Sequence, residues 1–175
     1  MQKQYQFTLL QNQQVKELLS EEYADLWNDV IYGSEEGKMK IVNIALAQVG
    51  SIDGEPYWRW YGFNERHKWC AIFVSWVFHE AGYGERLPKF ARVGTGIDYF
   101  KAIGKWKDAS YIPSSGDVIF FDWEQDGKRN HVGIVVKVEN NKIYTVEGNS
   151  TDDMCRQQVY DCNSQYIYGY GRITK

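Results

Sequence analysis

The stretch WCAIFVSWVFHEAG, residues 69 to 82, limits what this chain can fold into. After Cys70 come Ala71, Ile72, Phe73 and Val74, then Trp76, Val77 and Phe78, with Ser75 the one polar residue among them. A helix over Cys70–Ala81, stopped by Gly82, is apolar on nearly all sides, and such a helix is stable only when other elements surround it. The chain must therefore build itself around this segment, with a thiol in its first turn.

The flanking sequence supplies the surrounding layers. Val15, Leu18, Leu19, Leu26 and Val30 recur at helical spacing over residues 11 to 32, and Gly33 ends that helix. Ser34 is placed to cap a second helix. Glu35 and Glu36 lie in its first turn and Met39, Ile41, Val42, Ile44, Ala45, Leu46 and Val49 along it, up to Gly50. Ser51 to Lys68 reads as a long loop. A short helix is expected over Ile97–Ile103. Beyond residue 112, DVIFFDW (117–123), HVGIVVKV (131–138), KIYTVEG (142–148) and YIYGYGRI (166–173) are rich in β-branched and aromatic residues and separated by turn signals. Helices come first and an antiparallel sheet second, which predicts an α+β fold with the Cys70 helix packed on the sheet. Residues 1–34 read as a helical appendage and 35–175 as the working domain.

Composition narrows the function. With 175 residues, 43% hydrophobic and 25% charged, the chain is the size and character of one globular domain. A net charge of −3 argues against a nucleic-acid partner held through phosphates. No stretch approaches the roughly 18 apolar residues of a membrane span, so no membrane insertion is expected. The first residues, MQKQYQFTLLQNQQ, lack the apolar core of a signal peptide. Either the protein is not exported by that route or an export segment lies outside this chain. A monomer is expected.

The cysteines are Cys70, Cys155 and Cys162. This odd, unevenly spaced set indicates neither a disulfide framework nor a zinc site; at most Cys155 pairs with Cys162. DWEQDG (122–127) resembles the start of a calcium loop but has Gly133 where the closing carboxylate belongs, so a solvated turn is expected and no metal. Aromatic residues reach 16%, and many cluster in EPYWRWYGF (55–63). That clustering predicts a substrate-groove wall made by Trp58, Trp60 and Tyr61, with Trp69 beside the thiol.

A cysteine nucleophile needs a base beside it and a group to orient that base. His67 lies three residues before Cys70 and His79 nine after it on the same helix, and neither is placed to face the thiol. His131 opens a strand, where the backbone fixes the ring's direction. On the next strand, Glu147 and Asn149 compete to orient it. A three-residue turn, Glu139–Asn141, pairs Val138 with Lys142, sets Gly133 opposite Glu147 and brings Glu147 to the His131 face. A two-residue turn would send Glu147 to the other face. The catalytic reading therefore calls for the longer turn, with Asn141 left-handed. Glu147 is favoured against the ring, because a carboxylate stabilises imidazolium better than an amide does; Asn149 is then free to hold a backbone group or substrate.

WCAIFVSWV, GDVIFFDW (116–123), HVGIVVKVENNKIYTVEGNS (131–150) and YGYGR (168–172), with ALAQVG (45–50), stand in the order of a known family. Over about residues 38 to 173 the chain resembles a CHAP domain, the cysteine- and histidine-dependent amidohydrolase and peptidase branch of the papain-like NlpC/P60 superfamily. The resemblance implies that fold and a cofactor-free cysteine hydrolase. It also implies bacterial peptidoglycan as partner, cut between muramic acid and L-Ala or within the stem or cross-bridge peptide. It implies an extracellular or wall location, phage release included. The alternatives are a cysteine amidase acting on a small non-wall amide and a non-catalytic wall-binding module. The chain departs from the family pattern in three places. Trp69 stands where many members have Gln or Asn, PSSGD (113–117) replaces the usual Pro-Gly-Asp, and WRWYGFNERHKWC carries no recognisable calcium loop.

Overall fold

The computed structural model describes residues 35–84 and 87–173. The expected helix over 11–32 and the Ser34 cap lie outside them. The described elements run α1 (Glu35–Leu46), α2 (Glu55–Tyr61), α3 (Cys70–Glu80), α4 (Val93–Ala102), β1 (Trp106–Asp108), β2 (Val118–Phe121), β3 (His131–Glu139), β4 (Lys142–Ser150), a single 3₁₀ turn (Thr151–Asp153), β5 (Met154–Asp161) and β6 (Ile167–Gly171). The strands form one antiparallel sheet in the order β1-β6-β2-β3-β4-β5. The architecture is α+β with helices leading, as the pattern of periods predicts.

Helix α3 is the centre. Cys70 through Ser75, Val77 and Phe78 are buried, and the helix packs on β3, β4, α1 and α2. Its core joins Phe73, Val74 and Phe78 to Val118, Phe120, Val132, Ile134 and Val146 on one face of the sheet. The other face has a smaller core of Ile119, Phe121, Val135, Ile143, Ile167 and Tyr170. Strand β2, VIFF, is buried at every position because it lies inside the sheet with a covered face on either side.

Several elements differ from expectation. α1 stops at Leu46, not at Gly50, and α4 begins at Val93, four residues before Ile97. The supposed long loop contains α2. Gly54 (φ 63) and Gly62 (φ 118) are left-handed at its two ends, and Pro56 sits in its first turn, where the missing N–H costs nothing. Strands β1 and β5 were not expected. β5 is an edge strand whose MCRQQVYD mixes amides and charges, so its alternation carries little apolar signal.

Candidate active site

Cys70 opens α3. Trp69, the residue before the helix, lends no side-chain cap to the first turn. The positive end of the helix dipole therefore lies at the thiol, where it favours developing negative charge. His131 opens β3, its backbone fixed by pairing with Phe121 of β2. Its Nε2 lies 2.9 Å from Glu147 Oε2, which leaves the other ring nitrogen for the Cys70 side chain, the imidazole's second hydrogen-bond partner. Cys70, His131 and Glu147 are thus brought together, while His67 and His79 are exposed elsewhere, the first stacked on Phe63 and the second against Trp60.

The hairpin reaches this geometry by a route that the sequence reading did not contain. The turn holds two residues: Glu139 pairs with Lys142 and Val138 with Ile143. Asn140 (φ 51) and Asn141 (φ 59) are both left-handed, as a type I′ turn requires. The expected Val138–Lys142 pairing is therefore wrong. Farther along, Lys137 pairs with Tyr144 but Val135 with Thr145, so Val136 is an extra residue in β3. This β-bulge shifts the register by one and restores the pairing a longer turn would have set. Gly133 then lies against Glu147, and Glu147 reaches the His131 face. A Cβ on Gly133 would come within 2.6 Å of Glu147 Cγ; glycine leaves the room the carboxylate occupies.

Glu147 is 1% exposed and its oxygens are fully engaged. Oε1 accepts from Thr145 Oγ1 at 2.6 Å, and Oε2 accepts from Tyr160 OH at 3.3 Å besides facing His131. Burial and the adjacent Glu147 charge push the Tyr160 phenol up, so it remains a donor. For His131, burial alone lowers the pKa. Hydrogen bonds to Cys70 and Glu147, with the charges of both, outweigh it and raise the value from 6.5 to about 10. The site thus favours the protonated form of His131. Cys155 is the opposite case: burial first, and the Glu147 charge second, push that thiol up to about 12. All three cysteines are free, so the considered Cys155–Cys162 pair does not form.

Asn149 does not orient the histidine. Its Oδ1 accepts the Trp69 N–H at 2.8 Å and its Nδ2 donates to Asp153 Oδ1 at 2.9 Å. It holds the backbone immediately before Cys70. Asp153 also accepts from Trp69 Nε1 and from Arg66, a position to which no sequence pattern drew attention.

The expected groove wall is mostly core. Trp69 is 0% exposed, stacked on Tyr57 at 5.2 Å, and Trp58 is 6% exposed with its Nε1 donating to Asp53 O. Trp60 is half-buried under Lys89, whose Nζ lies 4.0 Å from the ring centre, and Tyr61 stacks on Phe63. The short helix α2 turns one face of this cluster into the molecule, which an extended loop would not have done. The groove that reaches His131, about 420 Å³, is lined instead by Lys68, Trp123, Asn130, Ser150, Gln158 and Tyr160, among others. Trp123 stacks on Phe121 at 4.7 Å, and its ring centre lies 6.1 Å from that of His131. Nearby, DWEQDG forms a turn in which Asp122 accepts the Gly127 N–H and Asp126 pairs with Lys128; among the described residues no cluster of His, Cys, Asp or Glu is suited to a metal ion.

No curated protein matches this chain. Among solved structures, Ly7917 aligns over 77% of this chain and 62% of its own, at 18% identity and a TM-score of 0.49. Ly7917 with the hydrolyzing product of MDP aligns over 76% and 61%, at 17% identity and a TM-score of 0.50. The chain therefore spans about three-fifths of the length of these structures, and at 17% identity the second likeness concerns the fold alone. The CHAP domain family model matches residues 60–149, just over half of the chain. That span runs from the last residues of α2 through the whole Cys70 helix and the His131–Glu147 hairpin as far as Asn149, and by that match the chain belongs to the CHAP domain family.

Proposed function

We propose that the protein is a cysteine-dependent hydrolase of amide bonds in bacterial peptidoglycan, acting as a muramoyl-L-alanine amidase or as a stem or cross-bridge endopeptidase outside the cell or in the wall. One observation carries the reading: a strand-borne imidazole is bonded on one side to a buried carboxylate and on the other to the thiol that opens the central helix. Membership of the CHAP family supports it, as does the fold shared with Ly7917, whose structure holds the hydrolyzing product of MDP.

In this mechanism His131 takes the Cys70 proton, giving a thiolate–imidazolium pair that Glu147 stabilises through Nε2. The thiolate attacks the amide carbonyl, and the backbone N–H of Cys70 helps to hold the oxyanion. His131 then protonates the leaving amine. Water, deprotonated by the same imidazole, hydrolyses the thioester and frees Cys70. Phe121 and Trp123 pack beside the His131 ring and help to bury it, which strengthens its hydrogen bonds.

The test is hydrolysis of purified cell walls. Wild-type protein is expected to release new N-terminal amines, and Cys70→Ala to release none while keeping its circular dichroism. Mass spectrometry of the released muropeptides distinguishes the amidase from the endopeptidase. Wild-type-like hydrolysis by Cys70→Ala, or no hydrolysis by the folded wild type, rejects the reading.

A further inference from the structure

We infer that Asp153 is a positioning residue for the nucleophile, setting the backbone from which Cys70 is presented to His131. The inference rests on Cys70 being that nucleophile and goes beyond it by naming what holds the thiol in place.

Four donor atoms converge on this one carboxylate. Oδ1 accepts from Trp69 Nε1 at 2.8 Å and from Asn149 Nδ2 at 2.9 Å, and lies 2.8 Å from an Arg66 terminal nitrogen. Oδ2 accepts from Arg66 Nε at 2.8 Å, so the guanidinium grips the carboxylate with two nitrogens. Three of the connected residues, Arg66, Trp69 and Asn149, flank the reactive pair: two stand just ahead of Cys70 and the third stands two residues after Glu147.

The bond to Asn149 decides how that amide is used. An amide has an accepting end and a donating end. With Nδ2 committed to Asp153, Oδ1 must face the other way, toward the Trp69 N–H that it accepts at 2.8 Å. Asp153 therefore holds Trp69 twice, directly at the indole and indirectly at the backbone. The next residue is Cys70. Without the carboxylate the amide loses its orientation, and its NH₂ end would meet the Trp69 N–H donor to donor.

The backbone here is unusual in the way that geometrically demanding sites are. Asn149 (φ 53), Asp152 (φ 61) and Asp153 (φ 56) all occupy the left-handed region although none is glycine. The peptide oxygen of Asp153 also accepts the Asp53 N–H at 3.1 Å, tying the turn to the segment that leads into α2. These contacts hold the turn in a conformation that its own residues disfavour, and the conformation aims the carboxylate at Trp69.

The experiment compares wild type with Asp153→Asn, Asn149→Ala, the double variant and Arg66→Gln. Two measurements are made: steady-state hydrolysis of a soluble muropeptide, and the rate at which iodoacetamide modifies Cys70, located by peptide mass spectrometry. The second requires no substrate. Asp153→Asn is expected to lower both kcat and the alkylation rate about tenfold, as a displaced reacting group does, with KM within about twofold of wild type. Because Asp153 acts partly through Asn149, the double variant is expected to fall short of the product of the two single losses. Arg66→Gln leaves the contacts to Trp69 and Asn149 in place and is expected to lose severalfold in both rates; it carries the test if Asp153→Asn does not fold. Wild-type kcat and alkylation in folded Asp153→Asn, or in Arg66→Gln where that variant carries the test, overturns the inference, and so do losses that multiply in the double variant. If wild-type protein leaves walls intact while its Cys70 alkylation still depends on Asp153, the proposed function fails and this inference stands.

Discussion

Gly133 and Glu147 illustrate how little space the site leaves. The strand must bring Glu147 Cγ to where a Cβ on residue 133 would stand, so Gly133→Ala is expected to push the carboxylate off His131 Nε2. Loss of about ten- to a hundredfold in kcat is expected, with the fold retained, and steady-state kinetics beside a thermal melt would show it. Glu147→Gln removes charge and keeps size. In the thiolate–imidazolium mechanism the basic limb of the pH–rate profile reports loss of the His131 proton, which lies at about 10 in the wild type. Glu147 is one of the groups raising that value, so its neutralisation must lower it. The basic limb of Glu147→Gln is expected to move to lower pH, and a profile that stays in place would exclude Glu147 as the stabilising partner. The juxtaposition of Cys70, His131 and Glu147 was legible in the sequence because there are only three cysteines and three histidines to choose from, and strand alternation selects Glu147 beside His131. Asp153 was not legible: it is one acidic residue among many, and only the left-handed turn points it back across the chain to Trp69.

Among the elements, the β3–β4 hairpin separates what a sequence can tell from what it cannot. Face alternation demanded that Glu147 and His131 share a side, and they do. The means was a bulge at Val136 in place of a third turn residue, and a β-branched residue in a valine-rich strand gives no sign that it is unpaired. The turn itself is testable. Asn141 is left-handed, so Asn141→Gly is expected to stabilise the protein by a few tenths to about 1 kcal/mol, and Asn141→Ala to cost about 1 kcal/mol. Chemical denaturation would measure both. Neither change is expected to alter hydrolysis, since the turn lies at the far end of a nine-residue strand from His131. Helix α3 was legible almost to the residue because its apolar run is too long for a buried strand and ends at Gly82. β5 was invisible because an edge strand has only half an environment to write into its sequence.

Among the described residues the aromatic load is divided between a core and a groove, and EPYWRWYGF puts Trp58 inside the core and Trp60 and Tyr61, half-buried, against it. Buried indoles and groove indoles have the same composition; only the packing of α2 tells them apart. Trp58→Ala is expected to cost about 3–5 kcal/mol of stability and to leave KM for a soluble muropeptide near wild type. Trp123→Ala, in the groove beside His131, is expected to raise KM by about tenfold with a smaller loss of stability. A melt and a Michaelis–Menten series on each variant would check the division.

The end of β4 carries Glu147 and, two residues on, Asn149, so one short piece of backbone grips the imidazole with the first and the peptide before the thiol with the second. The thiol and the imidazole come from different layers, a helix and a sheet, and the thermal sliding of one layer over the other would ordinarily change the distance between them. Tied to the same three-residue span, His131 directly and Cys70 through the Trp69 N–H, they move together. Displacements of the strand end are common to both and largely cancel in their separation, so the distance from thiol to imidazole is insulated from the breathing of the fold that surrounds it.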